Sequence, residues 1–421
     1  MPDDSLPRIA ILGAGPIGLE ATLYARYLGY PVELIERAAS PAANVLQWGH
    51  VELFTPFAMN ASPLGVAALQ AQDATWLVPP ADAVLSGSEF HQRYVLPLAK
   101  SDLVNAPLQI ETEVIAVGRR DWLKHEGVGN PLRRESPFVL SLRTAAGIDR
   151  VMEADVVIDC TGTFGNHNWL GQGGIPAPGE TDAAQAIEYG LPDVLGSDKA
   201  RYEGKRTLVV GAGYSAATTV TQLAKLPDAQ ATWLIRSKAE VCPIGRLPSD
   251  RLAGRDGLAA EANNLAATPG GPITLFANTS VTAITYRPVT DDFEVSFAGA
   301  QVCEAVFDRI VANVGYRADS RIYSELQVHE CYATGGPMKL ASQLLGCGAG
   351  GGPVDCLDQV SHGPQSLMNP EPDFYILGSK SYGRGSQFLL SVGLEQIRDV
   401  FTMIGDREDL DIYATMPGIG E

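Results

Sequence analysis

Apolar residues along this chain fall into two kinds of run. "RIAILGAG" opens the first: an unbroken aliphatic stretch from Ile9, the pattern of a parallel strand buried on both faces. After it the period changes. Leu19, Leu23, Tyr27 and Leu28 recur at helical spacing, with a stop at Gly29. "PVELIE" then returns to an extended pattern and ends on Glu36. The same succession recurs later. Thr207–Val210 predicts a strand, Val220, Leu223 and Leu226 mark a helix, and "ATWLIRS" predicts a second strand.

Other runs fill the frame. Asp155–Cys160, "DRIVANVGYR" (308–317) and "PDFYILGSK" (372–380) each predict a strand followed by glycine. "EVIAVGRR…PFVLSLRT" predicts a small β meander, and residues 40–110 form a long insertion of mixed character. A last helix is predicted over Ser386–Ile404, with Leu389, Val392, Ile397, Val400 and Ile404 on one side. The expected fold class is therefore α/β with two Rossmann-like dinucleotide-binding domains. The expected division is 1–165 plus 305–421 for the first domain, with a second of 175–304 inserted in it. "GIPAPGE" at 174–180 reads as linker.

The glycines between strand and helix carry the chemistry. Gly13, Gly15 and Gly18 follow the G-x-G-x-x-G spacing, with Pro16 at the first helical position. The first glycine permits a tight turn, the second lets a pyrophosphate approach the backbone, and the third brings helix and strand together. The helix N-terminus supplies N–H groups and a positive dipole end. Glu36 stands 21 residues after Gly15, where a carboxylate accepts from ribose hydroxyls.

In the second motif, Gly211 and Gly213 are followed by Ala216, the permitted small variant, and Ser215 is placed to donate to a pyrophosphate or to cap the helix. Its second strand ends not in an acid but in Arg236, Ser237 and Lys238. Arg can pair with a 2′-phosphate that a carboxylate would repel, so this site is expected to take NADPH.

Composition narrows the partners. A net charge of −18 argues against nucleic acid. No apolar run reaches the length of a membrane span, so no membrane partner is expected. The strand pattern starts too early for a signal peptide. The six cysteines are scattered without a CxxC, so a cytoplasmic setting with reduced thiols is expected; Cys347 and Cys356 share one Gly-rich segment, which leaves a redox pair open there.

The paired glycine motifs, "DCTGTFGNHNW" and "ANVGYRAD" together resemble the two-dinucleotide-binding flavoproteins, in particular the flavin-containing and N-hydroxylating monooxygenases. The resemblance covers nearly the whole chain. It implies FAD in the first site and NADPH in the second. It also implies a monooxygenase cycle through a C4a-(hydro)peroxyflavin, with molecular oxygen and a small-molecule substrate bearing a soft nitrogen, sulfur or carbonyl. The alternatives are an NADPH-dependent reductase without oxygen insertion and a redox-sensing partner protein. A homodimer is left open.

Under this resemblance Phe164-Gly165 begins a monooxygenase-type signature, but His167 comes two residues early. His167 is a candidate near the nicotinamide or a hinge residue. Gly162, in the turn after the Asp155–Cys160 strand, and Gly378 belong with the FAD contacts. Where relatives place a Gly-Asp pair this chain has Gly378-Ser379, with Ser379 or Lys380 as substitutes. Tyr382, Arg384 and Gln387 are candidates beside the flavin ring, Tyr382 as a catalytic group. Trp48, His50, Phe54 and Phe57 form an aromatic cluster suited to a flavin or substrate wall; Arg246, Arg251 and Arg255 are candidate anion contacts; no metal site is expected.

Overall fold

A computed structural model describes residues 6–238, 242–348 and 355–420. The chain divides into two compact units. One comprises the residues up to Asn166 and those from Arg317 onward; the other is His167–Tyr316.

The first unit is built on a parallel five-stranded sheet. Its order is Phe374–Ile376, Val156–Asp159, Ile9–Leu12, Val32–Ile35 and Leu108–Gln109. Alternate residues of the first strand enter different cores. Ile9 and Ile11 pack with the helices Pro16–Tyr27 and Leu390–Ile404. Ala10 and Leu12 pack with Val117, Phe138 and Leu140 of an antiparallel meander, Thr112–Arg119, Phe138–Thr144 and Asp149–Ala154. Both faces are covered, which is why the strand reads as unbroken apolar sequence.

The second unit repeats this plan. Its parallel sheet runs Ile273–Phe276, Gln230–Leu234, Arg206–Val210 and Arg309–Ala312. Val209, Trp233 and Val311 face the helices Tyr214–Leu223 and Ala253–Ala267. Leu208, Val210, Ile310 and Ala312 face a second antiparallel meander, represented by Val281, Phe293, Val295 and Phe307.

Three expectations change here. Residues 305–316 are expected in the first unit, but Arg309–Ala312 pairs in parallel with Arg206–Val210 and completes the second sheet. The 174–180 stretch is integral to the second unit rather than a linker. Gly179 is so close to the meander that a Cβ would stand 1.9 Å from the Ile284 carbonyl. Glu180 is wholly buried there, accepting from Leu170 N, Ala177 N and the Tyr189 hydroxyl. The last helix begins at Leu390, not Ser386. Gly383 turns at φ +60°, and the Arg384 N–H is engaged by the Thr334 carbonyl, so residues 383–389 are held off the helical path.

Two buried polar groups hold the first unit together. Glu371 accepts from Arg119 Nε (2.8 Å), Arg133 Nη2 (2.7 Å) and Gln327 N (2.9 Å), with all three charged side chains at most 1% exposed. Glu20 lies on the first motif helix and accepts from Ser62 Oγ (2.8 Å) and the Tyr94 hydroxyl. Burial, opposed by those hydrogen bonds, pushes its pKa up to about 7. The folded state then holds this proton more tightly than the unfolded chain. Stability from this group is complete below about pH 4.5 and is lost as pH rises to about 7, by about 3 kcal/mol. Urea unfolding at pH 5 and pH 7.5 should show that loss in the wild type and its absence in Glu20→Gln. An equal loss in both would place the titration elsewhere.

Candidate dinucleotide sites

In each sheet the motif strand has its sequence neighbour on one side and a later strand on the other. A crevice opens beyond the carboxyl ends at such a switch point, the usual seat of a ligand in open α/β sheets.

The first crevice is shaped by glycine. Gly13 has φ +91°, and a Cβ there would stand 2.9 Å from the Cys160 carbonyl. At Gly18 a Cβ would stand 1.9 Å from the Gly13 carbonyl, so only hydrogen lets the helix lie on the loop. Gly15 differs: its backbone is extended (φ −74°), and a Cβ would meet nothing within 4 Å. Pro16 follows at the first turn, and no side chain caps this helix. First-turn N–H groups are thus left to water or a ligand.

Glu36 is held at the rim by two backbone donors, Ala14 N (2.8 Å) and Ala38 N (2.7 Å). Each carboxylate oxygen retains a lone pair for a ribose hydroxyl. Gly162 (φ +69°) and Gly378 (φ +72°) turn the ends of adjacent strands toward each other; a Cβ on Gly162 would lie 3.5 Å from Ser379 Oγ. Lys380 is not available to a ligand. Its ammonium is wholly buried in an ion pair with Asp159 at 2.7 Å.

Other candidates in this unit separate by burial. Trp48 is half-buried and covers Gly87, where a Cβ would come within 2.7 Å of the indole. His50 is half-buried, with Nε2 shut from water and without a partner among the described residues. Phe54 is half-buried, whereas Phe57 is core, edge-on to Tyr94. Tyr382 is also core, packed edge-on against Phe388, so its ring serves packing rather than lying open beside a ligand. Arg384 and Gln387 are exposed on the following segment, Gln387 accepting from Gln359.

The second crevice follows the same rules. Gly211 has φ +139°, and a Cβ would stand 2.1 Å from the Asn313 carbonyl. Gly213 is the extended N-cap, open around its missing Cβ, and again no side chain caps the helix. Ser215 is half-buried in the first turn, and Ala216 is wholly buried. Two supports were not singled out from sequence. The Trp233 indole donates to the Gly211 carbonyl (2.7 Å), and Asn313 bridges Thr219 Oγ1 (2.8 Å) and the Gly190 carbonyl (2.9 Å). Asn313 directly follows an apolar strand, which is the signal that marks it.

Arg236, Ser237 and Lys238 leave the sheet at this end and are exposed. Arg236 has no carboxylate partner among the described residues, whereas Arg246 pairs with Asp256 (2.7 Å) and Arg255 with buried Asp250 (2.6 Å). Those two arginines are occupied as anion contacts; Arg251 is exposed. His167 lies in an aromatic stack of the second unit, 3.5 Å from the Tyr189 ring centroid and edge-on to Trp169. Its Nδ1 is bonded to the Asn168 carbonyl, and its backbone bridges Tyr316. That is a structural setting at the crossover between units.

In the first unit Cys160 and Cys331 are buried and Cys356 is half-buried; in the second Cys242 and Cys303 are exposed; no disulfide joins these five. Burial next to Asp159 drives the Cys160 thiol well above its usual range. The Cys347 side chain lies outside the described residues, so the Cys347/Cys356 pairing does too. Among the described residues no His/Cys/Asp/Glu group could hold a metal, and no helix is long and apolar enough to cross a membrane.

No family model and no curated protein matches the chain. Solved structures do. The bacillithiol disulfide reductase of Bacillus cereus superposes with a TM-score of 0.67 at 15% identity, covering 96% of this chain and 100% of that one. Thioredoxin reductase of T. acidophilum gives 0.57 at 16% identity, over 94% and 97%. The FAD-bound cadaverine monooxygenase of desferrioxamine biosynthesis from Erwinia amylovora gives 0.59 at 13% identity, over 99% and 100%. The fold is that of the two-dinucleotide-binding flavoproteins, which serves reductases and monooxygenases alike.

Proposed function

We propose that the chain is an FAD- and NADPH-dependent oxidoreductase acting on a small molecule. The contrast between the two crevices carries the reading: equivalent glycine cradles, one rimmed by the oriented carboxylate of Glu36, the other by the exposed cations Arg236 and Lys238. Gly13, Gly15 and Gly18 would admit the FAD pyrophosphate to the first helix terminus, and Glu36 would take the ribose. Gly162, Gly378 and Ser379 would meet the remainder of the cofactor, with Trp48, His50 and Arg384 as flanking contacts. Gly211, Gly213 and Ser215 would hold the NADPH pyrophosphate and Arg236 its 2′-phosphate. When bound, the flavin supplies hydride acceptance from NADPH and onward electron transfer; the chain binds, orients and excludes water.

Within this class we favour monooxygenation over dithiol chemistry. A disulfide reductase must present a pair of thiols to the flavin; the sequence has no CxxC, and of the cysteines described in the first unit Cys160 and Cys331 are buried and Cys356 is half-buried. The likeness to reductase structures keeps an NADPH-dependent reductase as the second reading. Purified protein should be yellow and should bleach with NADPH. Oxygen uptake that yields oxygenated substrate supports monooxygenation; stoichiometric hydrogen peroxide with every nitrogen, sulfur and carbonyl compound tried rejects it.

Arg236→Ala tests the second site separately. KM for NADPH should rise about tenfold to a hundredfold, with that for NADH within about twofold, as expected for one charge-assisted pair. Equal changes for both would remove Arg236 from the site.

A further inference from the structure

We infer that the buried Lys380–Asp159 pair is the positioning element of the first cradle, and that the Ser379 hydroxyl is the side chain it presents to the ligand. The inference rests on the FAD reading of that site.

Strands Val156–Asp159 and Phe374–Ile376 are parallel neighbours, with Ile376 opposite Asp159. They leave the sheet together and become the turns at Thr161-Gly162 and Gly378-Ser379. Asp159 ties these turns to each other. Its Oδ1 accepts from Thr161 N (3.0 Å) and Thr161 Oγ1 (2.7 Å), and its Oδ2 accepts from Lys380 Nζ (2.7 Å). Lys380 Nζ closes the ring by donating to Thr161 Oγ1 (2.9 Å), and it stands 5.0 Å from the Tyr323 ring centroid. Neither charged side chain is exposed at all.

The second turn is clamped from its other side by the C-terminal helix. Gln396 Oε1 accepts from Gly378 N (2.9 Å), and its Nε2 donates to Ser381 Oγ (3.0 Å). Ser381 Oγ in turn donates to the Gly378 carbonyl (2.7 Å). Between these fixed flanks, Ser379 is half-buried and its hydroxyl has no hydrogen bond among the described residues.

A buried ion pair adds little net stability over apolar side chains of the same volume. What this pair adds is place: it ties together two turns with positive φ, at Gly162 and Gly378, where a Cβ on Gly162 would stand 3.5 Å from Ser379 Oγ. Lys380 and Asp159 touch no ligand and act through those turns.

The test uses full-length protein, stripped of flavin and titrated with FAD. Three readouts are taken: flavin fluorescence quenching, the visible flavin spectrum, and the melting temperature before FAD is added. Lys380→Met leaves a buried carboxylate and should lower both the melting temperature and the affinity. The double variant Asp159→Asn/Lys380→Met removes the charge imbalance. It should regain most of the melting temperature while its Kd for FAD stays about tenfold or more above wild type, with a changed spectrum. If Lys380→Met does not fold, the double variant alone decides. Recovery of both temperature and affinity in it would show the pair to be structural only and overturn the assignment. Ser379→Ala should melt as wild type does and bind FAD several-fold more weakly; unchanged affinity overturns the role of Ser379. Wild-type protein that takes up no FAD overturns the flavin reading itself, and this assignment with it.

Discussion

Gly15→Ala should give a protein that folds as the wild type does and fails to hold FAD. The backbone at Gly15 is extended, and the added methyl meets nothing within 4 Å. The melting temperature without cofactor should therefore stay within about 2 °C. The space the methyl enters is the space a pyrophosphate needs, and a clash of that kind costs about 3 kcal/mol, or about a hundredfold in Kd. Gly18→Ala makes the contrast. Its methyl would stand 1.9 Å from the Gly13 carbonyl, so stability and binding should fall together. Equilibrium dialysis with FAD beside thermal melts separates the two. Wild-type affinity in Gly15→Ala would mean that no ligand backbone passes there.

Loss of the Glu371 carboxylate should be the most damaging single change to the first unit. Glu371→Ala strands the guanidinium groups of Arg119 and Arg133 in the interior, both at most 1% exposed. Removing one member of such a set costs about 3–5 kcal/mol. Chemical denaturation followed by flavin release should show that loss. Binding of NADPH by the second unit should hardly change, because the triad lies wholly in the first. A loss below about 1 kcal/mol would show that water or a rearranged carboxylate replaces Glu371.

The sequence made the two cradles legible because their requirements are local. Gly15 answers an open space, Gly18 the nearby Gly13 carbonyl and Gly13 a left-handed turn (φ +91°), and spacing reports these, although the Cys160 carbonyl that also bars a Cβ at Gly13 comes from a distant strand. Glu36 against Arg236 was legible for the same reason, since each ends the second strand of its motif. Contacts made across long stretches of chain were not. Lys380 reads as a substitute for the acid of the Gly-Asp pair because its partner Asp159 is 221 positions away. Arg255 reads as a candidate anion contact until Asp250 is found beside it. Tyr382 reads as a site residue because it lies between Gly378-Ser379 and the last helix, while packing against Phe388 buries it. Arg309–Ala312 shows the remaining difficulty. An apolar strand followed by glycine fits either sheet, and only pairing with Arg206–Val210 decides between them.

Neither motif helix supplies its own N-terminal cap; Gly15 and Gly213 stand where Ser, Thr or Asp would close the first turn. A side-chain cap is worth about 1 kcal/mol to a helix. With it omitted at both sites, a dinucleotide bound as proposed would complete the first turn of each helix. Under that reading, cellular supply of the two cofactors would become a determinant of how long the folded protein lasts.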